Sequence, residues 1–218
     1  MAQKKRDGKR KSRNSRLGSR KLELGYYILV TDTEATERCY FEGLRDSLPD
    51  EVKDKIAIKV IETSTKNLID ECLKQITYQS QYVKPWIIFD RDRVKHFDKI
   101  INDAQNKGIK VGWSNPCFEI WMFAYFGKMP VIYESKKCCS DFAQLFKNKT
   151  GQKYAKSDAK LYDKLCTYGD ENMAIQIANE KYNQCVRENK ISPWEMISAT
   201  TVYNLVKEIK SQVELMCD

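Results

Sequence analysis

The chain has 218 residues, of which 42% are hydrophobic and 31% charged, a composition that fits a globular protein with one main core. Its longest apolar stretch, Ile120 to Phe126, is 7 residues, far short of the roughly 20 needed to cross a bilayer, which excludes a membrane-spanning helix. The formal charge of +8 is concentrated at the start: residues 1–22 hold ten Lys and Arg against the single acid Asp7, so the rest of the chain is close to neutral.

The ten cations are Lys4, Lys5, Arg6, Lys9, Arg10, Lys11, Arg13, Arg16, Arg20 and Lys21. A segment this charged buries too little apolar surface to fold alone. Residues 1–22 therefore read as a flexible basic tail suited to a polyanion, most simply RNA or DNA. The N-terminus is basic and polar with no apolar h-region, so no secretory signal is expected. The eight cysteines form no Cys-x-x-Cys pair and His96 is the only histidine. No structural zinc site is expected on that spacing, and the thiols read as reduced, in the cytoplasm. There is no P-loop, no Gly-x-Gly-x-x-Gly and no Gly-x-Ser-x-Gly.

After the tail, Gly25–Thr31 is a short run rich in β-formers and reads as a buried strand. A helix follows on Glu37, Tyr40, Phe41, Leu44 and Leu48, stopped near Pro49. Residues 55–61 form a second strand, 67–76 a helix, 85–89 a third strand, 94–104 a helix, and 109–113 a fourth strand. Strand alternating with helix predicts a four-stranded, mainly parallel α/β sheet covered on both faces. From Ser114 the pattern turns helical, with Ser114 or Asn115 as cap, Pro116 at the first helical position and Glu119 in the first turn. Residues 134–165 are Lys-rich and give no clear pattern. Two helices close the chain, over about 170–188 and 198–216. The expected organisation is the tail, an α/β core over 23–127, and a mainly helical extension over 128–218 packed on it.

Ligand sites in such sheets lie beyond the carboxyl ends of the strands, and acidic residues gather there. Asp32, Glu34 and Glu37 follow the first strand; Asp90 and Asp92 follow the third; Glu119 opens the helix after the fourth. Asp-x-Asp directly after a strand aims two carboxylates at one pocket, which suits Mg²⁺ or Mn²⁺ on oxygen ligands. Such an ion clamps phosphate and activates water. Turn chemistry and helix capping are the plainer uses of the same residues. Lys153 or Lys156 would offset transition-state phosphate charge if it faced the site. Lone His96 reads as an exposed or capping residue, and Tyr154 and Trp194 are candidates for base stacking.

These runs resemble the RloB-like family of bacterial anti-phage (abortive infection) proteins, whose core is Toprim-like. The resemblance is carried by Ile28–Phe41, by Phe89-Asp90-Arg91-Asp92, by Ser114 through Phe126, by Thr200–Val206, and by the tail ending Leu17-Gly18-Ser19-Arg20. It implies a Toprim-like fold and metal-dependent phosphoryl transfer, that is, a nuclease acting on RNA or DNA. Asp90 and Asp92 would be metal ligands and Asp32 a ligand or general acid/base. Glu34, Glu37 and Glu119 would be further ligands or supporting groups. The family often accompanies an ABC-type, AAA-like ATPase, which the resemblance implies as a partner. One departure stands out: where the family usually has Glu-Gly, this chain has Asp32-Thr33. Asp is one methylene shorter than Glu and reaches about 1.5 Å less far. That shortening favours a rival reading, a non-catalytic nucleic-acid- or ATPase-binding subunit on the same fold.

Overall fold

The computed structural model describes residues 25–32, 35–53, 56–78, 82–92 and 94–214. The basic tail and Glu34 lie outside them. In chain order the elements are β1 (Gly25–Thr31), α1 (Ala35–Ser47), the short α2 (Asp50–Lys53), β2 (Ile56–Glu62), a 3-10 turn (Thr65–Asn67) leading into α3 (Leu68–Thr77), β3 (Val83–Asp90), α4 (Phe97–Asn106) and β4 (Lys110–Asn115). Then come α5 (Glu119–Ala124), α6 (Ser135–Thr150), α7 (Leu161–Tyr168), α8 (Glu171–Arg187), β5 (Ala199–Thr200) and α9 (Val202–Glu214).

The strands form one sheet in the order β2-β1-β3-β4-β5. The first four are parallel, and β5 pairs antiparallel with the end of β4, Ser114 opposite Thr200 and Asn115 opposite Ala199. The sheet is buried on both faces, which is why β1 and β3 read as continuous apolar runs. Side chains alternate between two cores. Tyr27, Leu29, Trp86 and Ile88 pack on one face with Tyr40, Phe41 and Leu44 of α1. Ile28, Val30, Ile87 and Phe89 pack on the other with Leu68 and Cys72 of α3 and Phe97 and Ile101 of α4. The chain leaves β1 for β2 on one side, then crosses back to β3 on the other, so the gap between β1 and β3 is the switch point where such sheets bind ligands.

The segment after residue 128 is built into both cores. Phe142, Phe146, Leu161, Leu165, Ala174, Leu205 and Val206 join the first, and Cys185, Met196 and Ala199 the second. All six residues of α5 are buried, as a helix apolar around nearly its whole circumference requires. Gly43 lets α1 approach α7: a Cβ there would meet the Tyr162 Cβ at 2.6 Å.

Two expectations are corrected. The sheet has five strands, because 199–200 form a strand and the last helix begins at Val202. The Ser114-Asn115-Pro116 run does not open a helix. β5 extends the pairing of β4 to Asn115, the Asn115–Pro116 peptide is cis, and α5 starts at Glu119. Ser114 Oγ meets Thr200 Oγ1 at 3.1 Å, and Asn115 Nδ2 donates to the carbonyls of Pro193 and Trp194. Their side chains are occupied across the sheet edge and cap nothing.

Candidate metal and phosphate site

Parallel pairing places the ends of β1, β3 and β4 side by side. The Asp32 N–H donates to Ile88 O at 3.1 Å, the Arg91 N–H to Ser114 O at 2.9 Å, and the Asp92 N–H to Pro116 O at 3.1 Å. These bonds fix where the acidic residues leave the sheet. Asp32, half-buried, accepts a short hydrogen bond from the Thr65 hydroxyl at Oδ2. Asp90 ends β3, and its Oδ2 accepts the Phe118 backbone N–H at 2.9 Å, just ahead of α5. Asp92 is exposed. Glu37, in the first turn of α1, is fully buried.

These four carboxylates line one cleft of about 900 Å³, together with Lys66, Lys95, Lys136 and Lys156. The wall also holds Cys117, Cys139 and Tyr154. Lys156 lines the cleft and pairs with Glu119 at 3.6 Å, whereas Lys153 is exposed elsewhere. Glu119, 1% exposed, lies behind this wall and accepts the Tyr154 hydroxyl at 2.9 Å. Burial and the neighbouring Glu119 hold the Tyr154 phenol far above its ordinary pKa.

The structure thus brings Asp32, Glu37, Asp90, Asp92 and Lys156 to one cleft and sets Glu119 against its wall. Among the described residues, however, one group of three ligand residues closes to within 4.8 Å, and it is Cys117, Glu119 and Cys139. The two sulfurs are 3.9 Å apart. Hydrogen bonding to Cys117, burial and the Glu119 carboxylate all raise the Cys139 thiol. Sequence spacing hid this group, because its cysteines are 22 positions apart and only the packing of α6 against α5 unites them.

His96 occupies the N-cap position of α4 with φ 64°, exposed and without a side-chain capping bond. The Tyr154 ring packs edge-on against Phe142 at 5.0 Å and is part of the core wall. Trp194, 48% exposed, lies under the Arg91 guanidinium at 4.6 Å.

A family model for RloB-like proteins matches residues 27–209. The chain belongs to the RloB-like family. The match runs from β1 into α9 and takes in every acidic residue of the cleft. The five-stranded, mostly parallel sheet with helices on both faces agrees with the Rossmann- or Toprim-like arrangement that the sequence resemblance implied. Comparison with curated proteins and with solved structures finds no match. Among the described residues no helix is long and apolar enough to cross a membrane.

Proposed function

We propose that this RloB-like protein is a divalent-metal-dependent nuclease, an abortive-infection effector of anti-phage defence that hydrolyses phosphodiester bonds in RNA or DNA. The observation that carries this reading is the switch point. Asp32 and Asp90 leave adjoining parallel strands and share one cleft with Asp92, Glu37 and four lysines. Oxygen donors of this kind suit Mg²⁺ or Mn²⁺. Asp32, Asp90 and Asp92 would hold the ion, which when bound clamps phosphate and lowers the pKa of water. The lysines offset phosphate charge, and Lys156 is anchored by a buried partner, Glu119. Thr65 and the Phe118 N–H orient the two strand-end carboxylates. The ten tail cations supply affinity for the polyanion through their charge, and an ABC-type ATPase supplies control, as the sequence resemblance implies.

The test is incubation of cellular RNA and plasmid DNA with Mg²⁺ or Mn²⁺, beside EDTA, for wild type and Asp90→Asn. The amide oxygen of Asn still accepts the Phe118 N–H, so the fold is kept while a charge is lost. Cleavage should fall at least about 100-fold, the low end of what such groups contribute. Unchanged cleavage in Asp90→Asn would sink the reading.

The second reading, a non-catalytic subunit, is favoured by one observation. No three of Asp32, Glu37, Asp90 and Asp92 close to within 4.8 Å of one another. Wild-type protein that binds RNA or DNA but cleaves neither with either metal belongs to it.

A further inference from the structure

Beside the hard-oxygen cleft stands a donor set of a different chemistry. Cys117 lies between β4 and α5, Glu119 opens α5, and Cys139 sits one turn into α6. Cys117 and Glu119 are 3% and 1% exposed, and Cys139 is half-buried. One ligand atom from each lies within 4.8 Å of the other two. Two thiolates on one tetrahedral zinc, with Zn–S bonds of about 2.3 Å, put their sulfurs about 3.8 Å apart; here they are 3.9 Å apart. The Glu119 carboxylate is already oriented by the Tyr154 hydroxyl at 2.9 Å and Lys156 at 3.6 Å. Ligating carboxylates are held by such outer partners in metal sites. Both cysteines also line the cleft, which gives a fourth ligand a route to the ion.

We infer that Cys117, Glu119 and Cys139 form a binding site for a thiophilic divalent ion, Zn²⁺ by preference, with one coordination position open to the cleft. Thiolate ligands select such ions over Mg²⁺. Each thiol gives its proton to solvent as its sulfur–metal bond forms. On this assignment Glu119 serves the thiolate site and the Mg²⁺ reading retains Asp32, Asp90 and Asp92. The site stands whether or not the protein cleaves nucleic acid.

The probe is Co²⁺ alone, titrated into the reduced full-length protein and read by absorption. One equivalent should give thiolate-to-cobalt charge transfer in the near ultraviolet with the visible bands of a tetrahedral ion, and Zn²⁺ should displace it. Cys117→Ser and Cys139→Ser should each lose the charge-transfer band. Cys166→Ser, which removes an exposed thiol, should keep it. Tyr154→Phe should weaken Zn²⁺ binding about tenfold by freeing the carboxylate. Circular dichroism accompanies each variant, and the half-buried Cys139→Ser remains decisive if Cys117→Ser fails to fold. The assignment is overturned if reduced wild type shows only the weak bands of oxygen-bound cobalt. It is equally overturned if folded Cys139→Ser keeps the band. No nucleic acid is present, so failure here is distinct from failure of the nuclease reading.

Discussion

Two buried glutamates in this fold have the same kinds of partner and different surroundings. Glu171 opens α8 and accepts the hydroxyls of Tyr125 at 2.8 Å and Tyr162 at 3.0 Å, with Lys210 at 2.8 Å. Tyr125 in turn meets the Tyr40 hydroxyl at 2.6 Å. Glu119 also has one tyrosine and one lysine, Tyr154 and Lys156. Around Glu171 the tyrosine rings pack edge-to-face on Tyr40, and the Lys210 ammonium meets the carboxylate charge. Around Glu119 two thiols approach and the wall opens on a cleft. A closed polar network in a core rigidifies it, while the same groups left with an open side make a site.

Raising the pH attacks the closed network most strongly. Tyr40 and Tyr125 are fully buried, and burial first, then neighbouring Glu171 and tyrosine groups, push their phenols well above the ordinary value. The unfolded chain loses these protons near pH 10 while the folded chain keeps them. Stability is therefore complete below about pH 10 and lost as the pH rises beyond it. Each of the two contributes about 1.4 kcal/mol of loss by pH 11. Thermal midpoints measured from pH 8 to 11 should fall steeply above 10, and Tyr125→Phe should flatten that fall. A midpoint constant to pH 11 would break the comparison.

Glu171→Ala is of similar size. It removes the acceptor of two buried hydroxyls and the partner of Lys210, at a cost of about 3 kcal/mol. A chain of this length should lose about 6–12 °C in thermal midpoint. Glu119→Gln should do least to the fold. Its amide oxygen still accepts from Tyr154, so the midpoint should move by less than about 3 °C while Co²⁺ binding is weakened. A loss matching that of Glu171→Ala would make Glu119 a structural residue too.

The sequence showed the open part of this contrast in outline. β1 runs over Gly25–Thr31 as its apolar pattern indicates, and the other parallel strands shift by a residue or two. The strands were legible as continuous apolar runs because both faces of the sheet are buried, and the helices by their 3.6-residue period. Acidic residues at strand ends were legible because Asp32 and Asp90 stand where an apolar run stops. The thiol group was not legible: Cys117 and Cys139 meet only because α6, inside the Lys-rich stretch that gave no pattern, packs on α5. Nor was β5, since two residues carry no periodicity and their pairing is set by Ser114 and Asn115, far back in the chain. The Tyr-Glu network was equally hidden, because Tyr40 of α1, Tyr125 just past α5 and Glu171 of α8 are far apart in the chain.

The small strand β5 also bears on how the molecule comes into being on the ribosome. The Thr201 N–H and the Thr200 hydroxyl both donate to Trp113 O, each at 2.9 Å, so the last fifth of the chain seals the edge that the first half leaves bare. A nascent chain halted before residue 198 would carry Asp32, Asp90 and Asp92 on a sheet with an open flank, prone to pairing with its neighbours. The contacts that close this flank span nearly ninety positions, which places them late in folding.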